Sequence, residues 1–145
     1  MRVLYCKFCE YTCQLMNGRR TLVGLFDDIR INQVPIDHPP FFLCVEMEFD
    51  PSEAGRKMDL LCLLMDEDGR ELFRINAQGQ VPHSTHHGFS RVQFPFPIPG
   101  LRIERQGIYR LDLIYNDAKI GEERLPVVVV AGHSESRPPD PSGGW

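Results

Sequence analysis

Phe41, Leu43, Val45, Met47 and Phe49 occupy every second position of a segment whose other positions are Phe42, Cys44, Glu46 and Glu48. A period of two puts these sets on opposite faces of an extended strand, one apolar and one wet from Glu46 onward. The same period recurs in Val92, Phe94, Phe96 and Ile98, and in Tyr109, Leu111, Leu113 and Tyr115. No segment carries the 3.6-residue apolar repeat of an amphipathic helix. A chain with this one period throughout must bury alternate side chains between sheets, which makes it all-β.

Taken in order, residues 3–16 read as a first strand and residues 21–34 as a second. Asn17-Gly18 between them suits the two positive-φ positions of a type I′ turn. Leu22-Val23-Gly24-Leu25-Phe26 is continuously apolar, which predicts a strand covered on both faces. After Asp27-Asp28 the pattern changes: Ile29 and Ile31 alternate with Arg30 and Asn32, so a bulge or bend is expected at the aspartates. Residues 35–40 are expected to form a loop, and the almost wholly apolar residues 58–65 a central strand. Asp68-Gly69 supplies the turn back into residues 70–77. Residues 78–88 have no strand pattern and hold three histidines.

Pro95, Pro97 and Pro99 fall on alternate positions of the next strand, residues 89–98 and just beyond. Amides of alternate residues point to one side of a strand, so the prolines remove donors from that side alone. This predicts an edge strand with a blunted rim. A loop over 99–107, a strand from Tyr109, a turn at Asn116-Asp117-Ala118-Lys119 and a closing strand over 125–130 complete a domain of residues 1–130. Residues 131–145 are rich in Ser, Pro and Gly and are expected to form a flexible tail.

Seven to eight strands at intervals of roughly ten residues imply a sandwich or a barrel. Gly107-Ile108-Tyr109 resembles the Gly-x-Tyr entry to a late strand of immunoglobulin-like sandwiches, where the tyrosine hydroxyl ties a loop to the strand. The expected fold is therefore an immunoglobulin-like antiparallel β-sandwich.

A net charge of −4 argues against non-specific nucleic-acid binding. No apolar run has the length of a membrane span, and charge interrupts the first residues too early for a signal peptide, so the expected setting is the cytoplasm without membrane contact. Five cysteines, an odd number, fit free thiols in a reducing compartment.

Cys9-Glu10, Gly18-Arg19, Leu22-Val23-Gly24-Leu25-Phe26-Asp27 and Ile29 resemble the amino-terminal signature of a family of small uncharacterised bacterial proteins. In that family a Cys-Asp pair precedes Gly-Lys and then Gly-x-Phe-Asp-x-Ile. Gly107-x-Tyr109 and Leu125-x-Val127 are similar too. Glu10 and Arg19 stand here where the family more often has Asp and Lys. The family is a domain of unknown function, so the resemblance implies a fold and transfers no activity.

Cys6-Lys7-Phe8-Cys9 has the spacing of half a zinc knuckle, but no second pair exists, and residues three apart on a strand face opposite ways. Buried structural thiols are expected. His83, His86 and His87 lack a helix to gather them and a carboxylate beside them, which leaves a metal- or small-ligand-binding loop as the alternative reading. The aspartate turns Asp27-Asp28, Asp66-Glu67-Asp68 and Asn116-Asp117 invite a calcium site, but alternate up-and-down strands put the last two at opposite ends. The same alternation gathers Arg19, Arg20, Arg56, Lys57, His83, His86, His87 and Lys119 at one end. It sends Asp37, Asp66, Glu67, Asp68 and Glu104 to the other. A basic end of this kind predicts a surface for an acidic protein partner, or head-to-tail self-association. The expected role is a non-enzymatic protein-interaction module without a cofactor, with a structural subunit of a larger assembly as a further alternative.

Overall fold

A computed structural model of the chain describes residues 1–84 and 88–130. Eleven strands lie among them: β1 Arg2–Gln14, β2 Arg20–Phe26, β3 Ile29–Ile31, β4 Ile36–His38, β5 Phe41–Phe49, β6 Lys57–Met65, β7 Glu71–Gln80, β8 Ser90–Ile98, β9 Leu101–Ile103, β10 Gly107–Tyr115 and β11 Ala118–Val129. Eight are long, as the spacing of apolar segments predicts; β3, β4 and β9 have three residues each.

The long strands form two stacked sheets, in the orders β2-β1-β5-β8 and β3-β11-β10-β6-β7, and β4 pairs with β9 outside them. All pairings are antiparallel except β3 with β11. The fold is thus an immunoglobulin-like β-sandwich. Its core follows the period of two: Phe41, Leu43, Val45, Met47 and Phe49 of β5 meet Leu60, Cys62 and Leu64 of β6 and Leu111 and Leu113 of β10. Burying each such side chain contributes about 1.5–3 kcal/mol. Tyr109 closes one end, its hydroxyl donating to the Arg105 carbonyl at 2.7 Å, which is the loop-to-strand tie expected of Gly107-x-Tyr109. Proline-bearing β8 is an edge strand, as its missing amides require, and β6 lies inside its sheet between β10 and β7. The wet face of β5 holds a buried carboxylate: Glu48 accepts from Arg2 of β1 at 2.8 Å and from Arg91 of β8 at 3.1 Å.

Several local expectations are corrected. The second strand is two: β2 ends at Phe26 in the first sheet, and after Asp27-Asp28 the chain crosses to the second sheet as β3. The break was legible, but the change of sheet depends on partners far along the chain. β2 is an edge strand whose only partner among the described residues is β1, so Leu22–Phe26 is not covered on both faces there; Val23 is 49% and Leu25 59% exposed. At Asn17-Gly18 only the glycine has positive φ (82°), with Leu15 N–H donating to Arg19 O at 2.7 Å. The turn with two positive φ values is Asn116-Asp117, at 46° and 66°. Asn116 is anchored there by donating from its side chain to Lys57 O at 3.1 Å. The segment read as irregular from 78 is strand β7 as far as Gln80. The expected loops over 35–40 and 99–107 contain β4 and β9, which pair with each other. Residues 131–145, expected to form a tail, lie outside the described residues.

Candidate docking surface

β1 is longer than the strand beside it. Its register with β5 runs from Arg2 opposite Glu48 to Cys9 opposite Phe42, where β5 begins behind Pro39-Pro40. Beyond Cys9, β1 continues for five residues with β2 as its only partner among the described residues, Tyr11 opposite Val23 and Gln14 opposite Arg20. Five residues at about 3.3 Å each make a two-stranded arm roughly 16 Å long. A turn at residues 15–19 caps it. The arm's outward face carries Tyr11, 56% exposed, and Val23, and Leu25 continues that row on β2. Leu15 and fully exposed Met16 form the tip. Tyr11 packs edge-on against Phe42 of β5, with ring centres 6.4 Å apart, so the apolar row continues onto the sheet.

The charges on the arm are all positive after Glu10. Arg19 and Arg20 have no ion-pair partner among the described residues. Arg20 Nη1 donates to Thr12 Oγ1 at 3.4 Å, while its buried Nε has no acceptor among the described residues.

At the base of the arm lies a cleft of about 400 Å³ walled by Glu10, Phe26, Asp28, Arg30, His38 and Phe41. Arg30 donates to Asp28 at 3.1 Å. The His38 ring stands edge-on to Phe41 with centres 5.2 Å apart. Gly24, at φ +68°, lets the Glu10 side chain lie directly over the strand: a Cβ there would stand 2.8 Å from the Glu10 carboxyl carbon. Glu10, Phe26 and Ile29, from the amino-terminal stretch singled out in the sequence, all border this cleft.

The expected basic end does not assemble. Arg56 and Lys57 join β5 to β6 beside the first residue, whose amine is 2.9 Å from Glu53. Val81 N–H donates to Arg56 O at 2.9 Å, which brings His83 to the same pole, and the Asn116 bond to Lys57 O brings Lys119 there. Lys119 is engaged with Glu122 at 2.7 Å and Asp112 at 3.1 Å. Arg19 and Arg20 lie at the far end of β1, roughly 40 Å away for a 13-residue strand. The cause is β3: its extra reversal shifts the alternation by one strand, so the turn at 15–19 and the loop at 50–57 face opposite ways. His86 and His87 lie outside the described residues.

The acidic end is likewise neutralised. Asp37 pairs with Arg102 at 3.1 Å, Glu104 with Arg70 at 3.7 Å, and Asp68 with Arg105. The turns at 66–69 and 116–117 do lie at opposite poles, at the two ends of β6.

Cys6 and Cys62 are buried in the core. Cys9 and Cys44 are equally shielded, at 0% and 1% exposure, but on the outward face of the first sheet, with sulfurs 3.8 Å apart. Burial pushes Cys9 and Cys62 up to about 12, and raises Cys6 as well. Cys44 adds to the effect at Cys9, because a second charge beside it is unfavourable. Among the described residues no group of three or more His, Cys, Asp or Glu is placed to hold a metal ion. The arm is scarcely legible along the chain. Its only local signals are the unalternated apolar run on β2 and the Pro39-Pro40 pair that delays β5.

The model of a family described only as a family of unknown function (DUF6941) matches residues 4–128. No curated protein matches the chain. Among solved structures, a glycosyl hydrolase family 2 member from Bacteroides cellulosilyticus DSM 14838 is similar at 13% identity and a TM-score of 0.42. That likeness covers 66% of this chain and 14% of the hydrolase. The CARDB domain of a Pyrococcus furiosus protein, solved in complex with di-metal ions, is similar at 10% identity and a TM-score of 0.36. Here 70% of this chain and 80% of the other are covered.

Proposed function

We propose that this chain, which belongs to the family of unknown function DUF6941, is a non-enzymatic protein-interaction module that takes an extended segment of a partner along β2 and the arm. One observation carries the reading. Of the ten exposed large hydrophobic residues among the described ones, five (Tyr11, Leu15, Met16, Val23 and Leu25) fall within residues 11–25. Single exposed apolar side chains are ordinary, whereas a contiguous row marks an interaction surface.

The sheet edges support the choice of strand. β8 is blunted by Pro95 and Pro97, β3 has three residues, and β7 alternates with Glu71, Arg74, Asn76, Gln78 and Gln80. From Thr21 to Phe26, β2 has neither charge nor proline. An added strand pairs with its free main chain, and apolar residues at alternate positions of that strand cover Val23 and Leu25. Arg19 and Arg20, without ion-pair partners among the described residues, favour a segment that also carries a carboxylate, which keeps the acidic partner expected from the strand alternation. Five free thiols, three of them held protonated by burial, support a reducing compartment such as the cytoplasm.

The test is site-specific photocrosslinking in the native host, with a photoreactive residue at position 25 and a control at exposed Ile108 of the other sheet. The expected result is a discrete adduct from position 25, absent from position 108 and abolished by Val23→Glu. Weakening by Arg19→Glu/Arg20→Glu, but not by Arg56→Glu/Lys57→Glu, is the expected charge signature. Equal adducts at both positions, or an adduct indifferent to Val23→Glu, would overturn the reading.

A further inference from the structure

The Cys9 and Cys44 thiols sit together where neither the core nor the docking surface requires sulfur. Cys9 is opposite Phe42 and Cys44 is opposite Lys7, so the two cysteines are offset by two residues across β1 and β5 and face outward together. Backbones of such diagonal neighbours lie about 7–8 Å apart, whereas a disulfide spans at most about 6.8 Å between Cα atoms. A disulfide would therefore require the strands to shift. The sulfurs themselves are 3.8 Å apart and shielded from water.

We propose that Cys9 and Cys44 form a two-coordinate binding site for copper(I). The donor set decides the metal. Structural zinc takes four ligands, and no third His, Cys, Asp or Glu joins this pair among the described residues. Thiolates without nitrogen or oxygen donors select soft ions, of which copper(I) is the first-row example. Two-coordinate bonds are no longer than the about 2.3 Å of four-coordinate zinc–sulfur, so a linear sulfur–metal–sulfur bridge spans at most about 4.6 Å and the sulfurs, now 3.8 Å apart, need to part by less than about 1 Å. The apolar neighbours Leu25 and Phe42, opposite Cys9 on either side, keep competing water away.

In binding, one copper(I) ion displaces the proton of each thiol. Two neutral thiols and Cu⁺ become a bis-thiolate complex of charge −1 and two released protons, with no change of oxidation state. Lys7, opposite Cys44 on the same face, supplies the compensating positive charge. Each thiol gives up a proton on binding, so binding strengthens as pH rises.

The test titrates the reduced, full-length protein anaerobically with copper(I) delivered as its bicinchoninate complex. The expected result is one equivalent withdrawn from the chelator, with X-ray absorption showing two sulfur neighbours and no other donor. Cys9→Ser and Cys44→Ser should each lose that equivalent, while Cys13→Ser retains it. The absorption measurement on the unaltered protein decides the matter even where a serine variant fails to fold. No withdrawal of copper by the unaltered protein, three or four sulfur neighbours, or binding that survives both Cys9→Ser and Cys44→Ser in folded protein would overturn the proposal.

Discussion

Replacing Tyr109 by phenylalanine isolates a single hydrogen bond that the fold depends on. The ring is 2% exposed and is retained by the substitution, so no cavity forms. What is lost is the hydroxyl bond to the Arg105 carbonyl, 2.7 Å long. A neutral hydrogen bond contributes about 0.5–1.5 kcal/mol net, and a buried carbonyl left without a donor costs about 1–3 kcal/mol. Arg105 is exposed, so water reaches its carbonyl once the hydroxyl is gone, and the cost belongs at the lower end. The expected destabilisation is about 1 kcal/mol, seen in urea as a lower midpoint at unchanged slope, with a fall in Tm of about 3–6 °C. Tyr109→Ala removes the ring as well and should cost about 3–5 kcal/mol. Hydrogen exchange should rise selectively across residues 99–106, the loop the hydroxyl ties down. If Tyr109→Phe unfolds at the same urea concentration as the parent, or is as damaged as Tyr109→Ala, the hydroxyl is not the tie.

Gly24→Ala should cost about 1–2 kcal/mol by urea unfolding, because φ is +68° there. Adding Glu10→Ala should recover only a minor part, since the Glu10 side chain can swing aside; full recovery would mean that contact, not backbone, decides. Cys9 and Cys62 are held near 12 against an ordinary thiol value of 9.0, and Tyr109 is also raised, by burial first. The unfolded chain therefore ionises before the folded one. Stability is full below about pH 9 and declines as pH rises toward the folded values, a slope that Cys62→Val should flatten in urea titrations at about pH 8 and pH 10.5. Met16→Ser at the arm tip should leave Tm within about 1 °C of the parent, because that side chain is already fully in water.

A signal in the sequence specifies only what lies within its reach. Alternation over Phe41–Phe49 settles which side chains enter the core, because the pleat allows only two faces. The prolines of β8 declare an edge, because a missing amide is a local fact. Tyr109 likewise announces its tie through a short Gly-x-Tyr spacing. The run Leu22–Phe26 misleads for the opposite reason: it records a preference for leaving water and not what covers it. In the isolated chain that cover is absent on one face, and the site is legible only once β2 is seen at the edge. The meeting of Cys9 with Cys44 is equally invisible along the chain, since it follows from the register of β1 on β5.

The chain alone determined that this protein is all-β, and where its hairpin turns, blunted edge and corner tyrosine fall. Those properties depend on residues a few positions apart. Tertiary structure decided which strand stays uncovered, which pole each loop joins and which thiols become neighbours. One short strand, β3, changes sheet at Asp27-Asp28 and reverses every later assignment of up and down. Its placement is a pairing with Val127–Val129, almost a hundred residues away, that no local pattern encodes.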